Sequence, residues 1–183
     1  TYTSSKNTDT GTSVTVAVND TSAMTVTNTY TKNATVDLSQ LIQKQLTVKK
    51  DSELPTGTTF TVKVTPTTTG DQGTQPAIIG TTTNTWENGT TDTTTGDTTY
   101  TVPFNFTSSL SLPAGTYTYT VQETEGDVSG MQYDSNKYTL KITVTGSSYS
   151  AEYTTTNEEK VTPVTTASPL TIKNTYQTPN LIV

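Results

Sequence analysis

From residue 45 onward, apolar side chains occupy every second position in one stretch after another. These are Leu46 and Val48; Phe60, Val62 and Val64; Tyr100, Val102, Phe104 and Phe106; Tyr117, Tyr119 and Val121; Tyr138, Leu140, Ile142 and Val144; Tyr149, Ala151 and Tyr153; and Leu170 and Ile172. A period of two is that of a strand with one face buried. Turn-forming residues separate the stretches, at Pro55 and Gly57, Pro113 to Gly115, Glu125 to Gly130, and Gly146, which is the punctuation of antiparallel strands. About seven strands at this spacing predict an all-β, immunoglobulin-like antiparallel sandwich.

Two segments break the pattern. Between Asn33 and Gln45, Leu38, Leu41 and Ile42 fall at i, i+3 and i+4, with Asp37 and Gln40 spaced as in a capping box. That spacing predicts one helical turn within a linker, residues 34–44, rather than a strand. Residues 66–97 are rich in Thr, Gly, Asn and Asp, with Ala77-Ile78-Ile79 and Trp86 as their apolar anchors, and predict an excursion with one short edge strand.

An internal repeat sets the domain organisation. Met24-Thr25-Val26-Thr27-Asn28-Thr29-Tyr30 matches Leu170-Thr171-Ile172-Lys173-Asn174-Thr175-Tyr176, and strand-like stretches precede both copies. Residues 1–33 therefore read as the last two strands of a preceding repeat, an extra N-terminal strand pair, with the sandwich domain spanning 45–178 and a tail at 179–183. Two strands alone are marginal in water. They belong either to a longer multi-domain stalk or to a neighbouring subunit as donor strands.

Three of the strands carry a polar residue on the apolar face: Lys50 after Leu46 and Val48, Glu123 after Tyr117, Tyr119 and Val121, and Asn174 after Leu170 and Ile172. An unpaired buried charge costs several kcal/mol. Two arrangements relieve it. One is a Lys-Glu ion pair with a hydrogen-bonded Asn. The other is an amide cross-link in which the Lys50 amine displaces ammonia from Asn174, with Glu123 as the catalytic acid. The first and last strands of a sandwich can lie side by side, so sequence distance does not forbid the bond.

Composition narrows the alternatives. The chain has 183 residues with no Cys and no His, and Thr is its commonest residue. Without His or Cys the usual neutral-pH base, thiol nucleophiles, zinc clusters and disulfides are absent. No metal or cofactor is expected, and enzyme chemistry with turnover is disfavoured. A net charge of −6 would repel nucleic acid, and neither a spanning segment nor a basic amphipathic stretch points to a membrane. The Thr-rich, charge-poor strands favour a processed extracellular protein over an intracellular one.

The stretch from Leu46 to Tyr176 resembles the Gram-positive pilin domains that carry spontaneous Lys-Asn isopeptide bonds, in particular the backbone pilins of group A streptococci. The phrases that carry the resemblance are Leu46-Thr47-Val48-Lys49-Lys50, Gly57 to Phe60, Phe104-Asn105-Phe106, Gly115 through Glu123, Tyr133-Asp134 and Ile172-Lys173-Asn174. It implies a CNA-B-like sandwich in which Lys50 is the amine donor, Asn174 the acyl donor and Glu123 the catalytic acid. It further implies a structural subunit of a pilus or fimbria on a Gram-positive cell surface, with copies of itself, a sortase during assembly and a host receptor as partners. There are departures. Gln177 to Val183 holds no LPXTG-like motif, Leu54-Pro55-Thr56-Gly57 is one residue short of one, and Ala167 stands where the streptococcal pilin offers a lysine. Tyr30-Thr31-Lys32-Asn33 is similar to a YPKN pilin motif with Thr for Pro, which makes Lys32, with Asn28, a candidate inter-subunit link.

The competing function is a ligand-binding adhesin on the same scaffold, with the 66–97 excursion as its surface and Trp86 as the sugar-stacking candidate. Asp71, Asp92 and Asp97 in that excursion are more readily solvated turn residues than calcium ligands.

Overall fold

Alternation becomes strand wherever an apolar face meets another. The computed structural model describes residues 32–67 and 77–179. Its strands are β1 (Ala34–Val36), β2 (Ile42–Val48), β3 (Thr61–Pro66), β4 (Ile78–Thr81), β5 (Thr90–Thr91), β6 (Thr98–Pro103), β7 (Asn105–Phe106), β8 (Leu110–Leu112), β9 (Gly115–Thr124), β10 (Met131–Gln132), β11 (Lys137–Thr145), β12 (Ser148–Thr155), β13 (Glu158–Val164) and β14 (Leu170–Tyr176). One sheet runs β10-β14-β2-β6-β5 and the other β13-β12-β11-β9-β3-β4-β7, with a small β1-β8 pair beside them. The chain divides into two compact units, Thr1–Tyr30 and Thr31–Val183. The first unit, including Asn28, lies outside the described residues.

The core is built from both sheets. Leu46, Leu170 and Ile172 come from one, and Val62, Val64, Val121, Leu140 and Ile142 from the other, all with essentially no exposure. The first and last strands of the sandwich do lie side by side. They run parallel, with Leu170 opposite Ile42, Ile172 opposite Lys44 and Asn174 opposite Leu46. Parallel neighbours are possible here because most of the domain serves as the crossover between them.

The linker expected over 34–44 is not a linker. Its helical turn exists, as a 3₁₀ turn over Leu38–Gln40 whose N-cap Asp37 accepts the Ser39 N–H at 2.9 Å. It ends at Leu41, and β2 begins at Ile42. Ile42, read from sequence as the third member of a helical stripe, is the first inward residue of a strand in which alternate residues from Ile42 to Val48 are buried.

Among the described residues of the 66–97 region, two short strands form rather than one: β4 between β3 and β7, and β5 at the edge beyond β6. Trp86 is half-buried, donates its indole N–H to the Thr58 carbonyl at 3.0 Å and meets Phe60 edge-on at 5.5 Å. It closes an end of the core. Asp97 is occupied by the Lys49 ammonium at 2.9 Å and the Lys50 N–H at 3.0 Å, and Asp92 accepts the Thr94 N–H at 2.7 Å. Asp71 falls outside the described residues.

The turn before β10 tolerates only glycine. Gly130 has φ +84°, its carbonyl accepts the Gln177 N–H at 3.0 Å, and a Cβ there would lie 2.0 Å from the Gln177 carbonyl oxygen. Gly130→Ala is therefore expected to destabilise the domain by more than about 1 kcal/mol. Thermal melting measures that loss, and faster amide exchange at Gln177 locates it.

Candidate functional site

Parity along β2 selects Lys44. Ile42, Lys44, Leu46 and Val48 share the inward face, and Lys44 is completely buried. Lys50 shares that parity but lies beyond the strand end, exposed, in a turn followed by Asp51 at φ +60°. The register measures the error. Asn174 stands opposite Leu46; Lys44 lies two residues before that level and Lys50 four beyond it. At about 3.3 Å per residue these are offsets of roughly 7 and 13 Å. Only the first is within reach of a lysine side chain, so the lysine expected at the site is corrected from Lys50 to Lys44.

Glu123 and Asn174 lie on β9 and β14. Glu123 is the ninth residue of β9, opposite Val62 of β3 in the facing sheet. Asn174 faces inward from β14 after Leu170 and Ile172. Both are buried. The amine and the amide thus come from adjacent parallel strands of one sheet, and the carboxyl from the other.

The three side chains meet at a single oxygen. Lys44 Nζ donates to Glu123 Oε1 at 2.5 Å, and Asn174 Nδ2 donates to the same Oε1 at 3.1 Å. Asn174 Oδ1 accepts the peptide N–H of Asp134 at 2.9 Å. That N–H also reaches Glu123 Oε2, at 3.0 Å. No buried side-chain polar atom among the described residues lacks a partner. A backbone N–H thus holds the Asn174 carbonyl, and the Glu123 carboxyl lies between the two nitrogens.

The surroundings are apolar and aromatic. The Phe60 ring lies under the Lys44 ammonium, 4.5 Å from Nζ to centroid, and Trp86 and Tyr133 meet Phe60 edge-on. Burial dominates the electrostatics. It lowers the Lys44 amine from 10.5 to about 8, against the opposing pull of Glu123, and it raises the Glu123 carboxyl. Both shifts favour the uncharged forms of the two groups, which share a hydrogen bond of 2.5 Å.

Lys32, the candidate inter-subunit lysine, is exposed. Asp134 was legible only as half of the Tyr133-Asp134 phrase; no periodicity marks it, because it meets Glu123 and Asn174 through its peptide N–H from the loop between β10 and β11.

Comparison with solved structures gives similarity to streptococcal pilins. The major pilin of a Streptococcus pyogenes serotype is 23% identical with a TM-score of 0.40, covering 74% of this chain and 52% of its own. A variant of the S. pyogenes major pilin with one asparagine replaced by alanine is 20% identical with a TM-score of 0.45, covering 80% of this chain and 51% of its own. The chain thus spans about half the length of these pilins. No curated protein matches it. The family model for the Spy0128-like isopeptide containing domain matches residues 40–177, from just before β2 to just after β14, and the chain belongs to that family, FctA.

Proposed function

We propose that this domain is a structural unit of an extracellular pilus or surface fibre on a Gram-positive cell, made permanent by an autocatalytic amide bond between Lys44 and Asn174. The convergence of Lys44 Nζ and Asn174 Nδ2 on Glu123 Oε1 carries the reading. The neutral Lys44 nitrogen attacks Asn174 Cγ. Glu123 passes the proton released by that nitrogen to Nδ2, the Cγ–Nδ2 bond breaks, and ammonia leaves. Nothing else is consumed, and the product is a secondary amide. The reaction runs once, so the chain is not a catalyst with turnover. Membership of a family described by its isopeptide bond supports the same reading. Copies of itself are the natural partners, and a sortase is the candidate joining activity.

Intact mass is the direct test. The purified chain is expected one ammonia lighter than its sequence. Lys44→Met, Glu123→Ala and Asn174→Ala should each restore the full mass, and Lys50→Ala should leave it one ammonia light. A full-mass wild-type chain, or a full-mass Lys50→Ala chain beside a light Lys44→Met chain, would end the assignment.

The bond closes a loop of most of the domain, worth about 5 kcal/mol by chain entropy. A chain left open by Asn174→Ala is therefore expected to melt roughly 10–20 °C lower than wild type, as scanning calorimetry would show. In that open background Glu123→Ala should cost a further 3–5 kcal/mol or so, because it strands the buried Lys44 charge. Lys50→Ala should stay within about 0.5 kcal/mol.

The pH dependence follows from the nucleophile. The amine attacks only when deprotonated, and in the folded domain half of it is neutral near pH 8 rather than 10.5. Mass-resolved time courses on newly synthesised chain should show the bonding rate rising with pH below about 8 and levelling above it. A rate still climbing steeply to pH 10 would mean that Lys44 keeps an ordinary lysine pKa.

A further inference from the structure

Asp134 makes more hydrogen bonds at this site than the reaction, as written above, uses. Its side chain is buried, although it sits in a loop. Its Oδ1 accepts from the Asn136 N–H at 3.0 Å and from Asn136 Nδ2 at 2.8 Å, and its Oδ2 accepts from the Tyr138 hydroxyl at 2.6 Å and the Lys173 N–H at 3.0 Å. The last bond matters most. β14 gives one edge to β2, and β10 pairs on its other edge only with Thr175 and Tyr176. The Asp134 carboxylate takes the next open N–H on that edge, on the residue immediately before Asn174. It thereby ties its own peptide group to the strand that carries the electrophile.

Resting on the cross-link reading above, we infer that the peptide N–H of Asp134 is the oxyanion donor of the bond-forming reaction and that the Asp134 carboxylate is its positioning group. In the resting site the N–H is shared between Asn174 Oδ1 at 2.9 Å and Glu123 Oε2 at 3.0 Å. Attack by Lys44 Nζ converts the Asn174 carbonyl into a tetrahedral centre with negative charge on Oδ1. In the same step Glu123 takes a proton and becomes the poorer acceptor. The shared N–H therefore strengthens its bond to Oδ1 just as the charge appears there, a gain confined to the transition state. When ammonia has left, Oδ1 is again a neutral carbonyl, and the N–H returns to its shared position.

The test removes the N–H and nothing else. Incorporating the α-hydroxy analogue of aspartate at 134 during cell-free synthesis replaces the peptide N–H with an ester oxygen and keeps the carboxylate. Bond formation, followed as ammonia loss by intact mass, is expected to slow by about 100-fold or more, with near-UV circular dichroism still native. The deficit should persist above the wild-type pH midpoint, where Lys44 is fully deprotonated, because a changed proton balance in the Lys44–Glu123 pair is overcome there and a missing donor is not. Asp134→Asn, which keeps the shape and part of the acceptor capacity, should react at an intermediate rate, and Asp134→Ala more slowly than Asp134→Asn. A folded ester chain bonding at the wild-type rate overturns the oxyanion role while the cross-link stands. Should the ester chain fail to fold, Asp134→Asn decides: a wild-type rate at a pH where Lys44 is fully deprotonated overturns the inference. A wild-type chain that never loses ammonia overturns both readings together.

Discussion

The constraint on which this domain turns is a lysine amine with no access to water. Desolvating an ammonium costs several kcal/mol even after the protein relaxes, and the fold answers the cost at Lys44 with groups from separate elements: the Glu123 carboxyl from the facing sheet and the Phe60 ring beneath the nitrogen. Each fixes something larger. The Glu123 contact sets how the two sheets lie over one another, since a slip of one residue in β9 would turn the carboxyl to solvent. The aromatic cover explains why Trp86, from the irregular 66–97 region, folds back onto the core. The same desolvation lowers the amine pKa, which is what the proposed bond requires of its nucleophile.

The parts of the site are distributed so that no fragment holds it. Lys44 and Asn174 lie on the first and last strands of the sandwich, Glu123 in the opposite sheet, and the Asp134 N–H in a loop. Proximity of this kind supplies a large effective molarity only when the geometry is complete, so the proposed bond waits until the sandwich has closed, with folding as its trigger. A misfolded or partly folded chain keeps its lysine charged and hydrated, and a hydrated ammonium does not attack an amide.

Much of this was legible in the residues, and the errors have physical causes. The strands with clean alternation, β3, β9, β11 and β14, were readable because each has one wet and one dry face. Glu123 and Asn174 stood out as the polar exceptions on those faces. β2 was misplaced because Leu38, Leu41 and Ile42 mimic a helical stripe, although a 3₁₀ turn ends at Leu41. Starting the strand late left Lys50 as the lysine of correct parity. A signal existed: Lys44 has apolar same-face neighbours on both sides, Ile42 and Leu46, whereas Lys50 runs into Asp51, Ser52 and Glu53. β13 went unseen because it is an edge strand with only Val164 buried, so alternation never developed. Asp134 acts through its backbone, which composition and periodicity do not reveal.

The parallel register of β2 and β14 has a consequence for mechanics. Lys44 is the third residue of β2, the first strand of the two main sheets, and Asn174 the fifth of β14, the last. With the two joined, a pull on the chain ends passes along the backbone to Lys44, crosses to Asn174 and exits, so residues 45–173 carry none of the load. Rupture then requires breaking covalent bonds rather than peeling strands. A fibre of such units, as proposed, would extend only outside the Lys44–Asn174 span, in the β1-β8 pair and where one unit meets the next.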